Sequence, residues 1–514
     1  MTAAAIAHRS RWADRLLAAA GGVVHTASFA PLNAWPLQIV GLVLLLLALD
    51  RAGPARAAGL GWAFGFCWLA SGFWWLFISI NQFGGIPAPL AAAAVALLAA
   101  VLALYYALAA ALWARLRSVG TTPASNALLF AACWLLAELA RGVLFTGFPW
   151  IAGGYAHTDG PLAAWAPWIG VYGIGALTAW LAASIASAWQ QRQRPARAAA
   201  LLLLPLVISS AGLALPGEFT RSAGHLNVTL LQSNVAQDVK FEPAHIERVL
   251  QWHRDALATA RGTLVVTPES SIPLPLGIVG ADTLAALRSP FAQGDRAALV
   301  GIFVGSDAEG YTNSVVGLSA ASDPSRGEFY HYGKRHLLPF GEFIPLGFGW
   351  FVRAMSIPIG DQERGKSIEP FAVAGQRVRP LICYEDLFAE DIASSVVGDS
   401  AATMLANVTN LAWFGAVMVQ DQHLQFSRMR ALELQRPIVR ATNTGATAVV
   451  DHQGRVSARL PPLVQGALEA SVEGRVGATP YARWLAEWGL WPLALFGAAI
   501  VGAVVIARRR CAAP

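Results

Sequence analysis

The sequence predicts a two-part protein: a polytopic α-helical membrane region, an α/β domain after it, and one further membrane span. Of its 514 residues, 55% are hydrophobic and only 13% are charged, whereas a typical soluble domain carries about 25% charged residues. Long apolar runs recur through the first 215 residues, and short strand patterns alternate with helical patterns through 216–487. These observations exclude an ordinary soluble enzyme and a disordered chain.

The apolar runs predict about eight membrane spans, since most approach the ~20 residues needed to cross a bilayer. They lie near 16–34, 36–50, 58–80, 88–113, 126–145, 163–189, 197–215 and 488–507. The first run has an alternative interpretation as a signal peptide, because Arg9, Arg11 and Arg15 precede it. The domains predicted are therefore a seven-span region at 1–215, an α/β domain at 216–487, and a final span with a basic tail at 488–514.

The arginines predict the orientation of these spans. Basic residues cluster before span 1 and after spans 2, 4, 6 and 8, whereas the loops near 82–87 and 146–162 hold no Lys or Arg. By the positive-inside rule both termini are cytoplasmic, and 216–487 lies on the far side, which in a bacterium is the periplasm. The basic excess sits between apolar runs, so the isoelectric point near 9.3 does not indicate nucleic-acid binding.

Two features of the membrane region leave alternatives open. Glu138 and Arg141 lie three residues apart inside span 5; a structural ion pair is the favoured interpretation over a role in substrate binding. Trp150 lies next to a span end, where Trp is typical of the headgroup level, and an interfacial anchor is favoured over a substrate contact.

Strand and helix patterns alternate through the α/β domain. Strands are predicted near 226–235, 263–268, 297–304, 312–319, 379–383, 402–408, 437–442 and 446–451, with helices near 243–261, 281–293 and 420–435. In such domains the chemistry usually sits at strand ends.

Cys383 is the lone cysteine of this domain, because Cys67 and Cys133 fall in predicted spans and Cys511 in the tail. A thiol on an oxidising side with no disulfide partner is either an inert core residue or a functional group. The cysteine count leaves these two open.

Three side chains at or near strand ends suggest covalent catalysis. Glu269 follows one apolar strand, Cys383 ends another, and Lys334 lies in a loop rich in Gly and Pro; the chain has only three lysines against 34 arginines. A free thiol is only a few per cent ionised at pH 7. Glu269 fits a general base, Lys334 fits a stabiliser of the thiolate and of an oxyanion, and the N–H after Cys383 would complete an oxyanion hole.

The motifs TPES (267–270), GKRHLLPFGEFIP (333–345) and ICYED (382–386) resemble the Glu–Lys–Cys signatures of the nitrilase, or carbon–nitrogen hydrolase, superfamily. With NVTNLAWFG (407–415), QHLQFSRMRALE (422–433), RATNTGATAVVD (440–451) and the flanking spans, the whole chain resembles the apolipoprotein N-acyltransferase family. The resemblance implies an α-β-β-α nitrilase-like sandwich in a multi-pass protein of the bacterial inner membrane.

The resemblance also implies the reaction. The Cys383 thiol takes an acyl chain from a phospholipid donor, and the α-amine of a diacylglyceryl apolipoprotein then receives it. Glu269 is the implied base, Lys334 the oxyanion stabiliser and Cys383 the nucleophile. Glu342 matches a second family carboxylate, and Tyr384 and Glu385 match the residues that follow the nucleophile. We expect no cofactor, no metal ion and no nucleic-acid partner.

The sequence departs from the family pattern at two places, and apolar residues extend one motif. Leu411 stands where the family usually has Asp, and Phe241 where it often has Trp, which puts loop anchoring and lipid contacts in question. Apolar side chains after Lys334 form either a lid that dips into lipid or part of the domain core; they are Ile344, Leu346, Phe348, Trp350 and Phe351.

Two other functions compete with the transferase. A membrane-tethered amidase of the nitrilase type would use the same three residues and let water deacylate the enzyme. A transporter with a binding domain would need polar or broken spans around a midplane site, and apart from Glu138 and Arg141 the spans are apolar.

Overall fold

The computed structural model describes residues 10–117, 122–240, 242–344, 349 and 362–512. Within these ranges the chain forms two compact units. One comprises 1–77, 86–217 and 488–514, and the other comprises 78–85 and 218–487.

The first unit is helical. Pro is the first or second residue of several of its helices, where its missing N–H costs nothing and its fixed φ favours a helical start. The longer helices are Arg11–Thr26, Pro36–Leu49, Pro54–Gly72, Ala88–Leu116, Pro123–Val143, Ala166–Gln190, Pro195–Ala211 and Trp491–Ala512.

Four apolar segments among the described residues are long enough to cross a bilayer: Ala88–Leu116, Pro123–Thr146, Pro161–Gln190 and Trp491–Arg509. A fifth is possible if Pro54–Gly72 and Leu76–Phe83, which meet at a bend of 63°, form one span. Two more apolar helices, Pro36–Leu49 and Pro195–Ala211, are shorter. The bounds expected for the first span were wrong: its helix ends at Thr26, and turns follow through Pro31 and Asn33.

The Glu138–Arg141 pair is buried and fixes a non-helical segment. Arg141 Nη2 lies 3.5 Å from Glu138 Oε1, and Arg141 Nη1 donates to the carbonyls of Phe148 and Trp150 at 2.8 and 2.9 Å. Glu138 Oε2 accepts from the Gly153 N–H at 2.7 Å. Two buried charges that satisfy each other and the backbone fit the structural interpretation of this pair.

Trp150 is not on the surface as an interfacial anchor would be. Its side chain is 4% exposed, and its ring lies 4.8 Å from that of Trp75, centroid to centroid. The aromatic ring is therefore part of the packing of the helical unit.

The second unit contains two six-stranded sheets. The strand order is β12-β1-β2-β3-β4-β5 in the first sheet and β11-β10-β9-β8-β7-β6 in the second. The strands of the first sheet are β1 (Thr220–Gln232), β2 (Leu264–Val266), β3 (Ala297–Ser306), β4 (Gly310–Leu318), β5 (Tyr330–Gly333) and β12 (Gly466–Gly477). Those of the second are β6 (Phe371–Val373), β7 (Gln376–Ile382), β8 (Met404–Thr409), β9 (Ile438–Thr442), β10 (Ala448–Val450) and β11 (Val456–Arg459).

The two sheets are built alike and share a core. In each, three central strands are parallel, β1-β2-β3 and β7-β8-β9, and the outer pairings are antiparallel. One buried apolar cluster combines side chains of both sheets, such as Leu230 and Val266 with Ile382 and Val408. Because neighbouring parallel strands end at the same edge of a sheet, the residues that follow β7 and β8 are candidates for one site.

Helices complete the α/β unit, and a second apolar cluster joins some of them to the first sheet. Leu250 and Leu257 from one helix and Leu287 from the next pack with Val265 and Val300. The helices of this unit are Pro243–Thr259, Ala281–Arg288, Ala389–Ala393, Val419–Leu434 and Pro480–Trp488.

Each of the eight predicted strands and three predicted helices of this domain is present within a few residues. The strands that the sequence pattern did not indicate are β5, β6, β11 and β12. Three of them have only three or four residues, and β12 is a sheet-edge strand in which seven of twelve residues are Ala, Glu or Gly, which have low strand propensity.

Candidate active site

Strand ends bring the three sequence-predicted residues to one place. Glu269 comes three residues after β2, Lys334 directly after β5, and Cys383 directly after β7. Lys334 Nζ lies 3.6 Å from Glu269 Oε1. The pKa of the Cys383 thiol responds to both charges, which places the thiol within their electrostatic reach.

Lys334 is held between two carboxylates. Its ammonium donates to Glu342 Oε1 at 2.7 Å and is 1% exposed. Glu342 Oε2 accepts from the Leu338 N–H at 2.8 Å, so the loop that follows Lys334 fixes its partner. Burial alone would lower the pKa of Lys334, but the carboxylates of Glu342 and Glu269 outweigh it and raise this pKa well above its ordinary value. The two carboxylates therefore favour the charged form of Lys334.

Glu269 is fixed by donors from other strands. Asn313, in β4, donates from Nδ2 to Glu269 Oε1 at 2.8 Å and to Glu342 Oε1 at 3.1 Å. The backbone N–H of Asn410, directly after β8, donates to Glu269 Oε2 at 2.9 Å. Both carboxylate oxygens thus have hydrogen-bond partners, which fix the orientation of the group.

The turn that carries Glu269 is tight and is held by hydrogen bonds from a buried lysine. A Cβ on Gly301 would lie 2.2 Å from the carbonyl oxygen of Pro268, so β3 needs glycine there. The buried Lys240 donates from Nζ to the Glu269 carbonyl at 3.2 Å and to Ser270 Oγ at 3.0 Å. Burial lowers the pKa of Lys240 to about 8.

Cys383 sits on a strained turn. Its φ of 58° is in the left-handed region, which is costly for a residue with a side chain and is typical of functional sites. Asn407, in β8, donates from Nδ2 to the Cys383 carbonyl at 2.8 Å and so holds the turn. The strain exposes the thiol at the end of β7, where it is half-buried.

The Cys383 thiol is neutral at rest. Burial raises its pKa well above the ordinary value, and the carboxylates of Glu269 and Glu342 raise it further. Lys334 and the Tyr384 N–H, which is hydrogen-bonded to the thiol, oppose this rise. A neutral thiol needs a base beside it to become nucleophilic. Glu269 is a nearby carboxylate, and its Oε1 lies 3.6 Å from Lys334 Nζ, beyond hydrogen-bond distance.

The two residues after the nucleophile have structural contacts. Tyr384 donates from its hydroxyl to the Leu337 carbonyl at 2.7 Å, and its ring centroid lies 5.5 Å from Lys334 Nζ. Glu385 accepts from Tyr332 OH at 2.8 Å and from the backbone N–H groups of Ile382, Arg335 and His336 at 2.7, 2.7 and 3.2 Å. Glu385 therefore ties the Lys334 loop to the Cys383 turn.

Comparison with known proteins shows which family the chain belongs to. The family model of the apolipoprotein N-acyltransferase N-terminal domain matches residues 21–184, and that of carbon–nitrogen hydrolase matches 230–481. An apolipoprotein N-acyltransferase of Verminephrobacter eiseniae is 48% identical over 482 residues, covering 89% of each chain. One of Ralstonia nicotianae is 46% identical over 503 residues, covering 97% of this chain and 94% of the relative. The chain belongs to the apolipoprotein N-acyltransferase family.

The departures from that family's sequence pattern leave the site's anchors in place. Asn410 keeps its contact with Glu269, and Leu411, where the family usually has Asp, is 1% exposed in the core. Phe241 lies outside the described residues, as do four of the five apolar residues predicted to form either a lid or part of the domain core: Leu346, Phe348, Trp350 and Phe351.

Sequence reasoning missed a buried charged cluster behind the nucleophile. Asp386 Oδ2 pairs with Arg440 Nη1 at 3.1 Å, Asp386 Oδ1 lies 3.3 Å from His423 Nε2, and Ser427 donates to Asp386. Burial raises the pKa of Asp386 to about 6, against the opposing effect of Arg440. The available signal was the density of polar residues in the helix Val419–Leu434, which has buried residues on all sides.

Asn313 and Lys240 were also missed as parts of the site. Asn313 lies in a strand of otherwise ordinary pattern, and nothing in the sequence marks it. Lys240 did carry a signal, because Lys is rare in this chain: two of its three lysines lie buried around Glu269.

Proposed function

We propose that this chain N-acylates the terminal S-diacylglyceryl-cysteine of apolipoproteins, with a phospholipid as acyl donor and a thioester on Cys383 as intermediate. The observation that carries the proposal is the neutral thiol of Cys383 beside Glu269 and the buried Lys334, in a chain of this family. Glu269, Lys334 and Cys383 are the proposed catalytic residues.

In the first step Glu269 takes the thiol proton as Sγ attacks the ester carbonyl carbon of the phospholipid. The negative charge that develops on the carbonyl oxygen is stabilised by the Lys334 ammonium and the Tyr384 N–H. The C–O ester bond then breaks, and the proton on Glu269 passes to the departing alkoxide. The products are the thioester and a lysophospholipid.

In the second step the α-amine of the acceptor attacks the thioester carbonyl carbon. Glu269 accepts the proton that the nitrogen loses, the C–S bond breaks, and that proton returns to the Cys383 thiolate. The amide is formed and the enzyme is restored, which is a ping-pong sequence. Water must be kept from the thioester between the two steps.

Three supporting residues fix the geometry for both steps. Glu342 holds the Lys334 ammonium at 2.7 Å, Tyr384 supplies the oxyanion N–H, and Glu385 joins the two loops. A fixed cation and N–H cost no reorganisation when charge develops in the transition state.

The same proposal extends to the membrane arrangement. The chain would cross a bacterial inner membrane about eight times, with both termini cytoplasmic and an α-β-β-α catalytic domain in the periplasm. The four or five apolar segments long enough to span a bilayer support a membrane location, and the alternating placement of arginine supports the orientation. A membrane location fits the reaction, because both proposed substrates are lipids.

The deciding experiment is the intact mass of the purified protein after incubation with phospholipid. We expect an added acyl mass on the wild type that hydroxylamine and a diacylated lipopeptide both remove. The Cys383→Ala protein should gain no mass, whereas the matched Cys67→Ala and Cys133→Ala proteins should gain it. An adduct that survives in Cys383→Ala would contradict the assignment of the nucleophile.

A membrane-tethered amidase is the alternative, since the carbon–nitrogen hydrolase model covers 230–481. It would use the same thiol and let water deacylate the enzyme. Rapid turnover of a small amide without lipid, together with no transfer to a lipopeptide, would favour the amidase over the transferase.

A further inference from the structure

A cavity of about 580 Å³ in the α/β unit lies one residue away from Glu269. Its lining includes Asn234, Gln237, Asp238 and Thr444, with Phe83 and Leu463 as apolar parts. Gln237 Oε1 accepts from Asn410 Nδ2 at 2.7 Å, and the Asn410 N–H donates to Glu269 Oε2 at 2.9 Å. Asn410 therefore connects the cavity lining to the group that must deprotonate the attacking amine.

The cavity wall is already ordered by hydrogen bonds. Asn443 donates from Nδ2 to Asn410 Oδ1 at 3.0 Å and accepts at Oδ1 from the Val235 N–H at 2.8 Å. Asn234 donates from Nδ2 to the Leu463 carbonyl at 3.0 Å. A wall fixed in this way loses little conformational freedom when a ligand binds.

Two polar groups of the lining lack a protein partner. Thr444 is 6% exposed, and its Oγ1 has no hydrogen-bond partner in the described part of the chain. Asp238 is exposed at the cavity and likewise makes no hydrogen bond or ion pair within 10–117, 122–240, 242–344 and 362–512. A buried hydroxyl without a partner is costly unless a ligand or water satisfies it.

The charge of the lining distinguishes between the two substrates of the proposed reaction. The lining residues found among the described ranges include Asp238 and no Lys or Arg. Such a site repels a phosphate, whereas amide, hydroxyl and carboxylate groups match the N–H and C=O groups of a peptide.

We propose that this cavity binds the peptide segment that follows the acylated cysteine of the acceptor, and that Asp238 favours basic side chains there. The inference rests on the proposed function, because it assigns a subsite to its second step. Peptide groups would bond to Thr444 and the amide side chains, and the bound segment would place the α-amine at Glu269. Asp238 and Thr444 are thus specificity residues rather than catalytic ones.

The test separates the two half-reactions in the full-length protein in detergent. The variants are Asp238→Ala and Thr444→Val, with Asp399→Ala as the control, since Asp399 is an exposed acid in a turn of the same unit away from these lining residues. Acyl-enzyme formation from phospholipid is followed by intact mass. Transfer from the preformed acyl-enzyme is followed with diacylated lipopeptides that carry either Lys or Glu after the cysteine.

We expect both variants to form the acyl-enzyme at the wild-type rate and to require a higher lipopeptide concentration for transfer, by about fivefold each, as for one lost hydrogen bond or exposed ion pair. Wild type should prefer the Lys peptide, and salt should weaken that preference. Asp238→Ala should lose the preference, while Thr444→Val and Asp399→Ala keep it.

The results that would overturn this proposal can be distinguished from a failure of the proposed function. Slower acylation with unchanged transfer would assign the cavity to the phospholipid headgroup and overturn the proposal. Unchanged kinetics in both steps, or a wild type without preference between the two peptides at low salt, would also overturn it. Failure of the wild type to form any acyl-enzyme would instead refute the proposed function before the variants are compared.

Discussion

The two sheets of the α/β unit contribute to the site in different ways. The first sheet supplies Glu269 and Lys334, whose charged groups lie 3.6 Å apart, and Lys334 also donates to Glu342 at 2.7 Å. The second supplies Cys383, whose backbone is held by Asn407 and whose following turn rests on the buried pair of Asp386 and Arg440. The comparison suggests that the first sheet sets the ionisation of the site and the second sets its geometry.

The largest expected effect is that of Glu269→Gln, in the first sheet. Loss of the base should slow acyl-enzyme formation by about 10³-fold, within the range for general base catalysis. Because Glu269 raises the pKa of the Cys383 thiol, the variant should lower that pKa. We therefore expect alkylation of Cys383 by iodoacetamide to become faster at neutral pH while acylation is lost. If alkylation of Cys383 also became slower in Glu269→Gln, the idea that Glu269 both raises the thiol pKa and acts as the base for acylation would be contradicted.

Lys334→Met should act in the opposite direction on the thiol. The ammonium lowers the pKa of Cys383, so its removal should raise that pKa and slow alkylation at every pH below it. Acylation should fall by about 10²-fold, as for loss of one oxyanion donor. The measurement is the pH dependence of alkylation, followed by mass, in both variants. A lower pKa of the Cys383 thiol in Lys334→Met would contradict the proposal that the first sheet sets the ionisation of the site.

Lys240→Met tests a positioning residue. Lys240 holds the turn that carries Glu269, and we do not expect it to act on the Cys383 thiol. The side chain supports the turn at Glu269 and Ser270, and a displaced base can cost up to about 10²-fold. We expect slower acylation, an unchanged lipopeptide requirement, and little change in the alkylation rate of Cys383. The exposed Lys366→Met is the matched control and should behave as wild type. Equal effects of the two lysine variants would refute the positioning role.

Asp386→Asn tests the second sheet and should change stability more than ionisation. It replaces one carboxylate oxygen with an amide group, so it removes a hydrogen-bond acceptor that faces Arg440 and Ser427, which costs about 1 kcal/mol. Acylation should fall only about tenfold through the shifted turn, and the alkylation profile of Cys383 should keep its midpoint. The readouts are thermal unfolding and alkylation, with the exposed Asp399→Asn as control.

The pH dependence of the free energy of unfolding is a second measurement for Asp386→Asn. The pKa of Asp386 is about 6 in the folded chain, above its ordinary value of about 4 in an unfolded one. Its protonation therefore favours the native state, and this contribution is full below about pH 4 and lost as the pH rises through 6. Asp386→Asn should remove this contribution to the slope of unfolding free energy against pH, whereas Asp399→Asn should retain it.

The sequence predicted the candidate reactive side chains of the site better than the buried polar residues that hold them in place. Glu269 and Cys383 follow strands whose apolar patterns are clear, so both were predicted at strand ends. Lys334 was singled out only as a rare lysine in a loop, because the pattern did not indicate β5 before it. Asn313 and the pair of Asp386 and Arg440 were not, because a buried polar side chain gives no periodic signal and finds its partner only through long-range packing. Likewise β12 pairs with β1 across more than two hundred residues, a contact that local propensity does not encode.

Tyr384→Phe should have the smallest effect, and it tests how the two sheets are joined. The change removes one hydrogen bond, from the Tyr384 hydroxyl to the Leu337 carbonyl, and keeps the ring beside Lys334. A single neutral hydrogen bond is worth about 1 kcal/mol, so stability should fall by that amount and acylation by about fivefold. Tyr384→Leu also removes the ring and its contact with the ammonium, and it should cost more. If the two variants were equally active, the ring would have no part in holding Lys334, and Glu385 would be the main link between the Lys334 loop of the first sheet and the Cys383 turn of the second.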